Sequence, residues 1–285
     1  VTGADLAPDV LQAVFHDAGV AQAGFTFTPK PGPPTSLRSY FSADQVLAIA
    51  IDDEGRRLNL VESRCRGWAS AHEIPVPAVH AAASNGQWLL AERIQAQTPQ
   101  GATFVHAALD VADRIATLSP PDLDVPASDW RSADGTRADL VRRLVRAGAG
   151  RLPVTRFVAA RRANAALTDV ATCHGDFYRR NVLSRGSALV AIIDWEFVGP
   201  APRFTDHVRF WSTLRQGEDR QVAWQRLTSG LSADERRHLA ILTEWLALRL
   251  LAENLAAPRS QRDPQDVAHA RTVVREAGRL TAALR

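Results

Sequence analysis

Residues 172–198 read TCHGDFYRRNVLSRGSALVAIIDWEFV, a stretch that packs Asp176, Asn181 and Asp194 into nineteen positions. Asp176 precedes Asn181 by five residues on a loop-like segment, and the apolar run 188–193 delivers Asp194. Residues 184–187 can turn, and both flanks are apolar and strand-like, so a hairpin brings Asp194 back beside Asn181. Phosphoryl transfer needs a group that accepts the nucleophile's proton and oxygen ligands that hold a metal against nucleotide phosphates. Asp176 suits the first task. Asn181, with a neutral amide oxygen, and Asp194, with a charged carboxylate, suit magnesium, which takes hard oxygen ligands and keeps several waters.

The rest of the chain is consistent with a globular enzyme. Its 285 residues are enough for one large domain or two lobes, and 46% apolar with 23% charged residues is an ordinary globular balance. The formal charge is only +3, and Lys30 is the sole lysine. The arginines are scattered among carboxylates instead of clustering with aromatic residues, which argues against a nucleic-acid partner. Cys65 and Cys173 lie far apart without zinc-site spacing, as expected of a reduced protein. Residues 3–19 lack the basic start and apolar run of a secretory leader. The most apolar segment, residues 239–257, carries Glu244, Arg249 and Glu253, which fits an amphipathic helix better than a membrane span. The expectation is a cytoplasmic protein without a membrane partner, monomeric or homodimeric.

Hydrophobic periodicity gives the order of elements. A short helix over residues 5–18 precedes strand-like runs GFTFTPK, SLRSYFSAD and QVLAIAID. Residues 57–72 have helical spacing, with Asn59-x-x-Glu62 matching a capping box. Pro75 and Pro77 end that helix, and the strands VPAVHAA and QWLLAERI follow. Beyond Gln95 the pattern becomes helical, at 104–118, 140–147 and 157–166 with a loop over 119–136, and three or four helices follow the central stretch. The boundary between a small antiparallel sheet with one inserted helix and a larger, mostly helical part therefore falls near 94–101.

HGDFYRRN followed by IIDWE resembles the catalytic loop and metal-binding motif of the aminoglycoside phosphotransferase and choline kinase family, relatives of the protein kinases, whose pattern is Asp, four residues, Asn and a later Asp after a strand. The resemblance implies an α+β, bilobal, protein-kinase-like fold. Residues 1–94 would form a nucleotide-binding lobe, 95–101 a hinge, and 102–285 the catalytic and substrate-binding lobe. It implies that Asp176 is the catalytic base, that Asn181 and Asp194 are Mg2+ ligands, and that His174, Gly175 and Asp206 support the loop. Glu62 resembles the glutamate of the first-lobe helix. LLAERI, with Glu92 and Ile94, resembles the strand entering the hinge over which adenine binds, with ATP or GTP as donor. The chain departs from the family at the third strand, which offers Ala48 or Ala50 in place of lysine, and at PKPGPPTS, where a glycine-rich flap would be. Arg38, Arg64 or Lys30 is expected to supply the missing cation.

The family's acceptors are small hydroxylated molecules, antibiotics among them, with choline-type metabolites as the alternative and a module that has lost turnover as a third reading. For a cationic acceptor the candidate carboxylates are Glu196, Glu244 and Glu253. The last two point to opposite sides of one helix, so only one of them faces a pocket. Trp195 and Trp245 are pocket or core aromatics.

Overall fold

The computed structural model describes residues 6–27, 36–96, 101–123, 151–256 and 263–284, and for 151–154 only the backbone. The expected helix over 140–147 and the loop PKPGPPT with Lys30 lie outside these residues. The chain divides into two compact units. The first contains Val1–Pro99, Pro121–Ala127 and Asn181–Val198, and the second Gln100–Pro120, Ser128–Arg180 and Gly199–Arg285.

The first unit opens with α1 (Pro8–Asp17) and contains β1 (Thr26–Phe27), β2 (Leu37–Phe41), β3 (Gln45–Ala50), α2 (Asp53–Ala71), β4 (Val79–Ala82) and β5 (Trp88–Glu92). The strands form one antiparallel sheet in the order β1-β2-β3-β5-β4. Side chains alternate along a strand, so Leu47 and Ile49 of β3 join Trp88 and Leu90 of β5 against Val14, Phe15 and Ala18 from α1 and its end. Trp88 Nε1 also donates to Asp17 Oδ2 at 2.6 Å, which ties α1 to the sheet. The helix α2 starts earlier than its apolar spacing suggests. Asp52 caps it by accepting from Gly55 N at 2.8 Å.

Asn59 is therefore inside the helix and not its cap. It is buried and donates to Ala48 O at 3.3 Å and Gly86 O at 3.0 Å, fastening α2 to the sheet. This close docking needs glycine at two places. A Cβ on Gly55 would meet Ser36 O at 2.1 Å, and one on Gly86, at φ +75, would meet Arg56 O at 2.2 Å. The hairpin β7 (Val182–Arg185) and β8 (Ala188–Ile192) belongs to this unit, with Val182 opposite Ile192 and Arg185 opposite Ala188. Ile192 N donates to Pro75 O at 2.8 Å.

In the second unit β6 (Val170–Cys173) pairs with β9 (Gly199–Pro202), Cys173 facing Gly199. The helices are α3 (Ala102–Thr117), α4 (Arg151–Ala165), α5 (Thr205–Thr213), α6 (Gly217–Thr228), α7 (Ala233–Ala256) and α8 (Pro264–Ala282). α7 packs on α4, α5 and α8, and α3 on α6 and β6. Reciprocal bonds between Ser232 and Glu235, from Glu235 N to Ser232 Oγ at 3.3 Å and from Ser232 N to Glu235 Oε2 at 2.9 Å, form a capping box that starts α7. α7 begins six residues before the apolar run that marks it in the sequence. No helix among the described residues is long and apolar enough to cross a membrane.

Candidate active site

β6 delivers Cys173 to a loop that turns at Gly175, whose φ is +83, and one face of α5 holds this loop. Asp206, in the first turn of α5, accepts through Oδ2 from His174 N at 2.6 Å and through Oδ1 from Gly175 N at 3.0 Å. Phe210 packs on Phe177 with ring centroids 5.9 Å apart, and Thr213 Oγ1 accepts from Arg179 N at 2.9 Å. Arg209 reaches Asp176 from the same face. These four positions follow i, i+3, i+4, i+7, one stripe of a helix. His174 is fully buried, and its Nδ1 accepts from Asp176 N at 3.3 Å. The imidazole thus supports the loop from inside.

Two guanidinium groups hold the Asp176 carboxylate. Arg209 Nη1 donates to Oδ1 at 3.2 Å and Arg180 Nη2 to Oδ2 at 3.5 Å. Arg209 is buried and stacks on Tyr178 at 5.0 Å. Burial works against its charge, but Tyr178, Asp176, Glu253 and Asp206 outweigh that effect and raise its pKa above the ordinary value. The Tyr178 phenol is pushed up chiefly by burial, so it stays protonated and donates to Glu253 Oε2 at 3.3 Å. A cavity of about 400 Å³ opens at this point within the second unit, lined in part by Tyr178, Arg179, Arg180 and Glu253.

In the first unit the hairpin brings Asn181 and Asp194 together, since Ile193 N donates to Asn181 O at 3.0 Å. Asn181 is buried and Asp194 exposed. Asp194 adopts a left-handed conformation with φ 64, which costs a non-glycine residue about 1–2 kcal/mol; aspartate and asparagine tolerate it best. Such strain concentrates at functional positions. The next backbone amide, Trp195 N, donates to Glu62 Oε2 at 2.6 Å. Trp195 itself is core, edge-on to Trp68 at 6.0 Å.

Glu62 therefore anchors the backbone that follows Asp194. Its cationic partner is Arg66, one turn further along α2, whose Nε donates to Oε1 at 2.8 Å. Arg38 lies 6.0 Å from the Phe27 ring and Arg64 is exposed on α2. Replacing Glu62 with alanine is expected to cost about 1–3 kcal/mol, read as a shifted urea midpoint, and Glu62→Gln should recover part of the loss by keeping an acceptor for Trp195 N.

The model of the phosphotransferase enzyme family matches residues 60–241, more than half of the chain. The chain belongs to that family. Among solved structures, a choline/ethanolamine kinase family protein from Mesorhizobium loti is 17% identical, with a TM-score of 0.59 over 96% of this chain and 99% of that one. The GDP complex of an aminoglycoside 2'-phosphotransferase-IIIa is 13% identical, with a TM-score of 0.58 over 97% and 99%. A macrolide 2'-phosphotransferase from Brachybacterium faecium is 13% identical, with a TM-score of 0.58 over 93% and 97%. A search of curated proteins finds no match. At these identities the likeness is one of fold, and that fold is the kinase-like α+β arrangement expected from the central stretch.

Family membership makes the chemistry a phosphoryl transfer. Of the remaining residues singled out in the sequence, Glu92 ends β5 and pairs with Gln45, and its Oε2 accepts from Ala78 N at 3.2 Å. Ile94 lies two residues beyond that strand. Glu196 lies on the single turn Trp195–Phe197, within electrostatic reach of Arg57. Glu244 and Glu253 diverge as the helical spacing requires. Glu244 accepts two bonds from Arg156, at 3.0 and 2.9 Å, whereas Glu253 lines the cavity. Trp245 is buried. Sequence reasoning missed Arg66, Arg209 and Tyr178. The first was visible as the i, i+4 pair Glu62–Arg66, and the second as the stripe i+3 from Asp206.

Proposed function

We propose that the protein is a Mg2+-dependent O-phosphotransferase moving the γ-phosphate of ATP or GTP to a hydroxyl of a small molecule in the cytoplasm. The observation that carries this reading is Asp176, presented on a loop fixed by Asp206 and oriented by Arg209. In the step, the acceptor oxygen bonds to the γ-phosphorus and its proton passes to Asp176. The bond from that phosphorus to the bridging oxygen breaks, and the nucleoside diphosphate leaves. Asn181 and Asp194, joined by the hairpin, are a fitting donor pair for magnesium, which takes one or two protein oxygens beside substrate phosphates. The metal would neutralise charge on those phosphates.

The first reading of the acceptor is a hydroxylated antibiotic, as the structural neighbours include aminoglycoside and macrolide phosphotransferases. A metabolic acceptor is the second reading, and the arginines lining the cavity favour it. Nucleotide consumption measured over a panel of hydroxylated antibiotics and metabolites tests the proposal. Absence of magnesium-dependent turnover with every member, together with absence of nucleotide binding, would overturn it. Asp194→Asn should keep the left-handed backbone and the melting temperature while weakening magnesium-dependent nucleotide binding roughly tenfold or more. A thermal-shift titration with Mg-ATP that matches the wild type would remove Asp194 from the metal site.

A further inference from the structure

Glu62 divides its two oxygens between two partners. Arg66 donates twice to Oε1, from Nε at 2.8 Å and from Nη2 at 2.7 Å, while Oε2 accepts from Trp195 N at 2.6 Å. Both side chains are nearly buried, at 12% exposure for Arg66 and 15% for Glu62. The guanidinium fork is planar and rigid, so it fixes the direction in which the carboxylate points.

That direction bears on Asp194. The amides ahead of it are held by backbone carbonyls, Ile192 N by Pro75 O at 2.8 Å and Ile193 N by Asn181 O at 3.0 Å. The amide after it is held by a side chain, through Glu62. Asp194 itself sits at φ 64 and ψ 61, a left-handed conformation that a non-glycine residue keeps only when its surroundings impose it. All of these residues belong to the first unit. Stability alone explains Arg66 poorly. Among the described residues its Nη1 is buried without a hydrogen-bond partner, and an unmet buried donor is destabilising. Apolar residues often replace a buried ion pair without loss.

We propose that Arg66 is a positioning residue for the magnesium site: by fixing Oε1 of Glu62 it aims Oε2 at Trp195 N, and so holds the left-handed turn that presents the Asp194 carboxylate. The inference rests on the reading of Asp194 as a magnesium ligand and adds the residue that tunes it. Groups beyond the ligands of a metal change its affinity by roughly 10- to 100-fold, and Arg66, acting through Glu62, belongs at the lower end.

The test measures ATP binding to the full chain by calorimetry, in EDTA and over a series of Mg2+ concentrations. In Arg66→Met the Mg2+ concentration giving half of the magnesium effect should rise roughly tenfold, with metal-free ATP affinity within about twofold of the wild type. Arg66→Lys keeps the charge without the fork and should shift that midpoint by about threefold, which preserves the measurement if methionine prevents folding. In Glu62→Ala, where the relay is already broken, adding Arg66→Met should move the midpoint by less than about twofold. A purely structural role would instead lower both ATP affinities together. That parallel loss, an unchanged midpoint in both Arg66 variants, or a full second shift in the Glu62→Ala background would overturn the inference. If ATP binding by the wild type does not respond to magnesium, the metal reading fails and the inference with it. If it responds and the Arg66 variants match the wild type, only the role of Arg66 fails.

Discussion

Replacing Asp176 with asparagine is expected to lower kcat by roughly 10²- to 10⁴-fold, the range a positioned general base contributes, with nucleotide affinity and melting temperature near those of the wild type. The expectation of an intact fold comes from the geometry. The carboxylate receives Arg209 and Arg180 through separate oxygens, and an asparagine oxygen can still accept from Arg209 without a change of shape. What is lost, on the proposed function, is the basic oxygen that would receive the acceptor's proton. The measurement is turnover with whichever acceptor the wild type uses, beside a thermal melt and a nucleotide titration. A variant with full turnover would show that Asp176 is not the base. If turnover and nucleotide affinity fall together, its role is structural.

The central stretch made most of the fold legible because its constraints are local. Five residues from Asp176 to Asn181, a turn and an apolar return strand to Asp194 leave little freedom, and the hairpin closes as the alternation requires. α2 starts at Asp53 and not at Arg57, because its cap, Asp52, stands in the polar turn 52–55 that apolar spacing does not mark, and Asn59-x-x-Glu62 matches a capping box in spacing without acting as one. What decided it is tertiary: Asn59 bonds across to the sheet at Ala48 and Gly86, residues 11 and 27 positions away. The box that does operate, Ser232-x-x-Glu235, was in plain sequence but lay ahead of the apolar run used to place the helix.

The sequence singled out Asp176, Asn181 and Asp194 but not what supports them. Asp206 was readable by resemblance, but a loop braced by a helix stripe comes into view only when Asp206, Arg209, Phe210 and Thr213 are taken together. The missing lysine of the third strand illustrates the opposite limit. Ala48 and Ala50 were visible as a departure, but that Glu62 pairs with Arg66, one turn along the same helix, was not singled out beforehand. Asp194's left-handed backbone likewise has no sequence signature, since only glycine announces a positive φ.

Asp206→Ala should be the most destabilising single change at the site. Its carboxylate is buried and satisfies two backbone amides, at 2.6 and 3.0 Å, which alanine would leave without an acceptor. Each buried orphan costs about 1–3 kcal/mol, so the loss is about 2–6 kcal/mol, or roughly 5–20 °C in melting temperature for a chain of this size. Turnover should fall as well, because the amides of His174 and Gly175 set the path on which Asp176 is carried. Asp206→Asn keeps one oxygen acceptor and is expected to fall between alanine and wild type. The stripe on α5 adds a sharper requirement. Thr213 fixes the far end of the same loop through Arg179 N, so Asp206→Ala and Thr213→Ala should not add independently, with a coupling of about 0.5 kcal/mol or more in a urea double-mutant cycle. Strict additivity would mean that the two residues hold the loop as separate attachments and that α5 is not its common template.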